Sequence, residues 1–320
     1  MSSSGAGRGA DATGLALTLT AAFGFATVSI TSQLAAEAGL GTFGYVTWRA
    51  ITAIAILAPV LFLAIRVGGL AVPAPGDVPA RQRRALVAAS LANLLLNAAV
   101  LLAIARMGVA LGMILFYTWP ALVAIGANRL HGEPIDGRRA LALALATAGL
   151  VLVILAPALT GGPLVLDPLG IGLALFAAAG QMVYTLIAAR GFPSVPALAG
   201  TTTLVALAVP GNIVLALLFG AGTQVVAPLA DPAVVPWAIA GGIVGSAIPG
   251  VALLAGIRRL GPTRSSILMM LEPVVGVGLA FLVLGESLAP VQLAGGALVV
   301  AAGVLLQLPG SLPGRGRRRR

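Results

Sequence analysis

Ten apolar stretches, each close to the roughly 20 residues that carry a helix across a hydrocarbon core about 30 Å thick, divide this sequence. They lie near residues 14–34, 42–65, 85–105, 109–129, 139–156, 168–189, 197–219, 234–256, 264–284 and 288–307. Turn residues and arginines separate them, as in Ala71–Arg84 and Arg129–Arg139. A chain patterned in this way is expected to fold as an all-α membrane protein with ten transmembrane helices. Residues 1–13 read as a polar, disordered tail on the cytoplasmic side, and residues 308–320 as a basic cytoplasmic tail. The first apolar run is long enough to span, so it reads as a retained helix and not as a cleaved signal.

Composition supports this reading by exclusion. Charged residues make up 9% of the chain and the mean hydropathy is +1.06, whereas a soluble domain carries about 25% charged residues. There is too little charge here to cover a water-facing surface. All 19 basic residues are arginine, and the chain has neither lysine nor cysteine. That excludes a Walker A loop, a lysine Schiff base, disulfides and thiolate metal centres; no cofactor is expected. The formal charge of +10 invites a nucleic-acid reading, but the arginines sit in short clusters between apolar runs. The partners expected are a lipid bilayer and a small-molecule substrate, with no nucleic acid. A homodimer is left open.

The arginines also set an orientation, because cytoplasmic loops are enriched in them. With the N-terminus inside, 17 of the 19 arginines fall on inner segments; Arg106 falls outside and Arg49 lies within a span. Both termini are then cytoplasmic in a multi-pass protein of the inner membrane. The terminal run Arg317–Arg320 reads as an anchor to anionic headgroups.

The chain also repeats itself. Shifted by 153 residues, Arg106-Met107-Gly108 falls on Arg259-Leu260-Gly261, Ile114-Leu115 on Ile267-Leu268, and Pro120 on Pro273. Gly132-Glu133 likewise falls on Gly285-Glu286, and Val151-Leu152 on Val304-Leu305. Five spans per copy is an odd number, so the second copy inserts upside down. The expected architecture is two inverted five-helix repeats, over 14–156 and 157–307, an arrangement typical of secondary transporters.

Two stretches carry a further likeness: GVALGMILFYTWPALVAIGANRLHGEP (Gly108–Pro134) and GPTRSSILMMLEPVVGVGLAFLVLGESLAPVQLAGGALVVAAG (Gly261–Gly303). They resemble the EamA-type transporters of the drug/metabolite transporter superfamily. The second has Glu272-Pro273, Gly285-Glu286, Gly295 and Gly303 in place, while the first has Ala142 where the pattern usually has glycine. The resemblance implies a carrier of small metabolites, often amino acids moved outward. Small multidrug pumps of the same superfamily are four-span chains with a carboxylate in the first helix, and no acidic residue lies between Gly14 and Ala36 here.

Ionisable side chains inside a span cost a few kcal/mol on insertion scales, so each is a functional candidate. Glu272 lies roughly 14 Å into the ninth span and Arg49 roughly 11 Å into the second, both near the midplane. Glu272 is expected to bind a cationic group or a coupling proton, and Arg49 to hold a carboxylate or to pair with Glu272. A buried ion pair that only locks two helices is the structural alternative. Pro120 and Pro273 lack an N–H and should kink their helices, leaving the carbonyls of Phe116 and Met269 without their usual partners. Asn93 with Asn97, and Gln181 with Tyr184, each share a helix face. Tyr117 and Trp119 stand ready to stack on a substrate, so the set suggests a polar cavity with aromatic walls. Interhelical hydrogen bonding is the plainer account of each polar residue taken singly.

Other residues read as structural. Gly241 and Gly245 suit close packing, His131 is expected to be solvated, and Glu133 and Glu286 to begin the helices that follow them. The expectation is thus a secondary-active, alternating-access exporter of amino acids or related compounds, driven by protons or exchange, and not an enzyme. Alternatives are an uptake or exchange carrier, a membrane-embedded enzyme acting on lipid-linked substrates, and an uncoupled channel.

Overall fold

The computed structural model describes residues 4–155, 166–285 and 289–307. Among them there is no strand. The first half contains α1 (Ser4–Glu37), α2 (Thr42–Arg66), α3 (Ala80–Met107), α4 (Val109–Phe116), α5 (Trp119–His131) and α6 (Gly137–Leu155). The second contains α7 (Pro168–Arg190), α8 (Ala197–Leu218), α9 (Gly222–Ala230), α10 (Val235–Gly242), α11 (Ile248–Leu260), α12 (Pro262–Met269), α13 (Leu271–Leu279) and α14 (Pro290–Gln307). A π-helical turn (Ile243–Ala247) joins α10 to α11, and another (Ala280–Leu284) prolongs α13.

Among the described residues, nine helical stretches are long and apolar enough to cross a membrane, and Pro290–Leu306 adds a shorter apolar helix. The tenth expected span is this shorter one. Large apolar side chains such as Phe62, Leu217, Leu229 and Leu282 stand more than half exposed on the outside. Such a surface is costly in water and suited to lipid. The protein is a multi-pass membrane protein.

Three features depart from the sequence expectation. Helix α1 begins at Ser4, ahead of the boundary at residue 14, since no proline interrupts the small residues before it. The break between the seventh and eighth expected spans holds a helix of its own, α9, bounded by the positive-φ Gly220 and by Asp231-Pro232. The fourth and ninth spans are each two helices rather than one. The basic tail 308–320 and Glu286 lie outside the described residues.

Packing follows a two-fold pattern. Helix α6 lies against α14 and α2 against α8, while α3 meets α7 as α11 meets α1. Exchanging the halves returns the first two pairs to themselves and interchanges the last two. Small residues permit the closest crossing: a Cβ on Gly149 would run into the carbonyl oxygen of Gly295, and a Cβ on Gly295 into that of Gly149. Apolar burial cannot drive helices together in lipid, so close backbone approach of this kind carries the association.

The repeat is legible in backbone angles as well. Gly108 caps α4 at φ 82° and ψ 164°, and Gly261 caps α12 at φ 83° and ψ 159°. Gly132 ends α5 at φ 68°, and Gly285 follows the second π turn at φ 71°. Each pair is 153 residues apart and sits in a region that disfavours any residue with a Cβ. The interruptions match too: α4 stops at Phe116 and α12 at Met269, four residues before Pro120 and Pro273, whose missing N–H breaks the helical ladder.

Candidate functional site

A cleft opens between α2, α3, α8 and the first π turn, so both halves contribute to its wall. Its enclosed free volume is about 80 Å³, below the roughly 300–1,000 Å³ usual for small-molecule sites, so the cleft is narrow in this arrangement. Phe43, Val46 and Arg49 face it from α2, Asn93, Asn97 and Leu101 from α3, Val205, Ala208, Asn212 and Leu215 from α8, and Ser246 from the π turn. Steps of three and four place each set on one helix face. The lining residues lie toward the end where α2 begins and α3 and α8 finish.

Arg49 is half-buried in this wall. It stands 6.0 Å from the centre of the Tyr45 ring, and the Tyr45 hydroxyl is fixed at 2.6 Å from Thr31 Oγ1. The carboxamide of Asn97 donates to the Asn93 carbonyl at 2.6 Å, and that of Asn212 donates across the halves to the Val46 carbonyl at 3.3 Å. At the same end, the Gln224 carboxamide oxygen accepts the N–H groups of Phe43 at 3.1 Å and Gly44 at 3.4 Å. It thereby caps α2, whose own N-cap is Gly41 and offers no side chain.

Glu272 lies in the first turn of α13, half-buried, outside the residues that line the cleft. Its carboxylate interacts electrostatically with Arg49, yet the two form no ion pair. The buried Tyr117 hydroxyl lies beside Glu272, short of the geometry of a formed hydrogen bond. Glu272 stands in the first turn of α13, where a carboxylate suits the positive end of the helix dipole.

The structure therefore gathers Arg49, Asn93 and Asn97 around one cleft, with Glu272 and Tyr117 behind it, and leaves the other candidates apart. Trp119 is buried in the main apolar core and Tyr117 packs edge-on to Phe116 at 5.4 Å, so neither ring forms a cavity wall. Tyr184 is buried beside Arg258 at the opposite end of the bundle, and Gln181 lies half-buried one turn before it on α7. Helix α7 packs on α3, α4, α5 and α11, away from the cleft. Pro120 is buried and Pro273 half-buried. Sequence reasoning passed over Asn212 and Ser246, although a carboxamide inside an apolar stretch was the signal used for Asn93.

The loop near the opposite end corrects two further expectations. Glu133 does not begin a helix; α6 starts at Gly137, and Asp136 accepts the Arg139 N–H at 2.8 Å. Instead, Glu133 accepts a hydrogen bond from Thr263 Oγ1 at 2.8 Å and meets Arg139 at 3.7 Å. This ties the first half to the first turn of α12 in the second. His131 is half-buried, and its carbonyl accepts from Arg190 at 3.4 Å. Gly241 and Gly245 are packing positions: a Cβ there would strike Tyr45 and Val28. Among the described residues no group of three or more His, Cys, Asp and Glu could hold a metal.

The sequence profile of the EamA-like transporter family matches residues 12–155 and 168–308, one match in each half. A comparison with curated proteins finds no match. One solved structure, described only as the crystal structure of a protein, is 17% identical, with a TM-score of 0.72 over 92% of this chain and 96% of its own. That likeness speaks for the fold alone. With both repeats matched, the chain belongs to the EamA-like transporter family.

Proposed function

We propose that this membrane carrier is a secondary-active exporter of small organic metabolites, amino acids or related compounds, across the cytoplasmic membrane, with both termini cytoplasmic. The observation that carries the proposal is a cleft walled by both halves near one end, with the Glu133–Thr263 contact joining the halves near the other. Two inverted repeats that exchange these arrangements would present one site alternately to each side. Arg49, Asn93 and Asn97 would meet the substrate. Glu272, behind them at mid-depth, would carry the coupling proton, a common role for an intramembrane carboxylate.

The reading is tested by metabolite profiling of medium from cells overexpressing the chain, beside an empty vector. It is paired with counterflow of the identified compound in proteoliposomes, with and without a pH gradient. A compound that accumulates outside and exchanges saturably supports the exporter. Accumulation inside the cells reverses the direction. Flux that neither saturates nor responds to a gradient removes the coupled carrier altogether.

A further inference from the structure

The cleft contains a charge that has no ion-pair partner among the described residues. Arg49 forms no ion pair and no hydrogen bond with any described residue, and its contact with the Tyr45 ring leaves all five N–H donors open. None of the residues lining the cleft is acidic. Glu272 acts on Arg49 only at a distance, without ion-pair contact. A planar guanidinium in such a wall suits a partner that accepts two parallel hydrogen bonds, the geometry of a carboxylate. Around it, Asn93, Asn97 and Asn212 offer uncharged amides that donate to and accept from hydroxyl or carbonyl groups. Phe43, Val46 and Leu215 supply the apolar wall.

We propose that the cleft selects compact organic acids with an uncharged body: the carboxylate held by Arg49, a neighbouring hydroxyl or carbonyl held by the asparagines, and the carbon skeleton on the apolar wall. This rests on the carrier reading above and narrows its related compounds. A free ammonium finds no opposite charge on the wall, so acids whose amine is absent or masked, such as 2-hydroxy and N-acyl acids, are preferred over zwitterions.

Four probes on one carbon skeleton separate the terms. These are 2-hydroxy-4-methylpentanoate, its amide, leucine and leucinamide, titrated by calorimetry into the purified full-length protein at pH 7. The hydroxy acid is expected to bind at least about tenfold more tightly than its amide, with leucine weaker than the hydroxy acid and leucinamide weakest. Arg49→Gln should erase the preference for acid over amide, and Arg49→Lys should keep part of it.

Thermal unfolding without ligand distinguishes recognition from structure. Because Arg49 makes no ion pair and no hydrogen bond with a described residue, Arg49→Gln should unfold no earlier than the parent, whereas loss of a structural ion pair would lower the midpoint. Asn212→Asp places a carboxylate in the wall and should invert the order, weakening the acid and admitting leucinamide. Equal binding of acid and amide, an acid preference that survives Arg49→Gln, or no binding of any probe overturns the proposal. Counterflow of a cell extract then reports on the carrier reading by itself. Saturable exchange without acid preference leaves a carrier of different specificity, and acid binding without exchange leaves a site but no carrier.

Discussion

The broken helix α4–α5 of the first half and its counterpart α12–α13 share their backbone devices and differ in what stands beside the proline. Both begin at a glycine with φ near +82°, Gly108 and Gly261, and both are interrupted one turn before Pro120 or Pro273. At the residue preceding the proline the halves part: Trp119 in the first, Glu272 in the second. Trp119 is 4% exposed and belongs to the main core. Glu272 is half-buried, with Arg49 in electrostatic reach. Duplication thus supplies a scaffold twice, and side-chain divergence assigns packing to one copy and charge to the other.

The largest effect should come from removing that difference. Glu272→Gln keeps the volume and removes the charge. It is expected to lower proton-driven transport by at least about tenfold and to flatten its dependence on pH, with little change in the unfolding midpoint. Trp119→Phe should do the reverse, retaining transport while costing about 1–3 kcal/mol of stability through the cavity it leaves. Flux against pH and thermal unfolding, measured on both variants, check the pair. Transport by Glu272→Gln that tracks pH as the parent does would end the assignment of charge chemistry to the second copy.

Much of this was legible in the sequence because glycine and proline encode backbone geometry directly. Gly108, Gly261, Gly132 and Gly285 each declare a turn that other residues resist, so a 153-residue shift was enough to find the repeat. Arg49, Asn93 and Asn97 were visible for a similar reason, since a polar group amid apolar neighbours needs an explanation wherever it points. Helix rotation was not legible. Trp119 and Tyr184 have the chemistry of a binding wall, but the direction they face is set by α7, α11 and the core, which no local spacing records. Nor did any motif announce that Glu133 would meet Thr263 across 130 residues.

That contact sharpens the comparison at an intermediate scale. The positions matching Thr263 and Glu133 in the opposite halves are Ala110 and Glu286; alanine has no hydroxyl, so the repeat does not duplicate this bond. The Glu133–Thr263 bond should therefore bias the carrier toward the arrangement with this end tied. A hydrogen bond to a charged group is worth about 1.5–3 kcal/mol, and Thr263→Ala should raise the population open at this end by several-fold or more. The chain contains no cysteine, so a single Ser266→Cys, buried one turn further along α12, reports opening by its rate of labelling with a membrane-impermeant maleimide. Faster labelling with Thr263→Ala is the expected outcome. An unchanged rate would make the contact a surface tether with no influence on access.

The smallest effect concerns the start of α7, where the halves also differ. Asp167 accepts the Gly170 N–H at 2.9 Å and is ion-paired with Arg106 from the end of α3, whereas the matching position in the first half is Gly14. The hydrogen bond from Arg106 is the main cause that holds the Asp167 carboxyl below its ordinary range, against a smaller upward push from burial. A depressed carboxyl contributes stability above its unfolded pKa and loses it as pH falls through the folded value. Asn caps a helix about as well as Asp, so Asp167→Asn isolates the charge from the cap. The parent should unfold slightly later than Asp167→Asn at pH 7, and the gap should close as the pH drops below the carboxylate range. Arg106→Gln should remove the gap at every pH, because the pair is exposed and its value lies in the mutual contact. A gap that persists in acid would mean that Asp167 acts at α7 through its shape and not through its charge. The matching Gly14 lies inside α1, so the first half has no helix start there to cap.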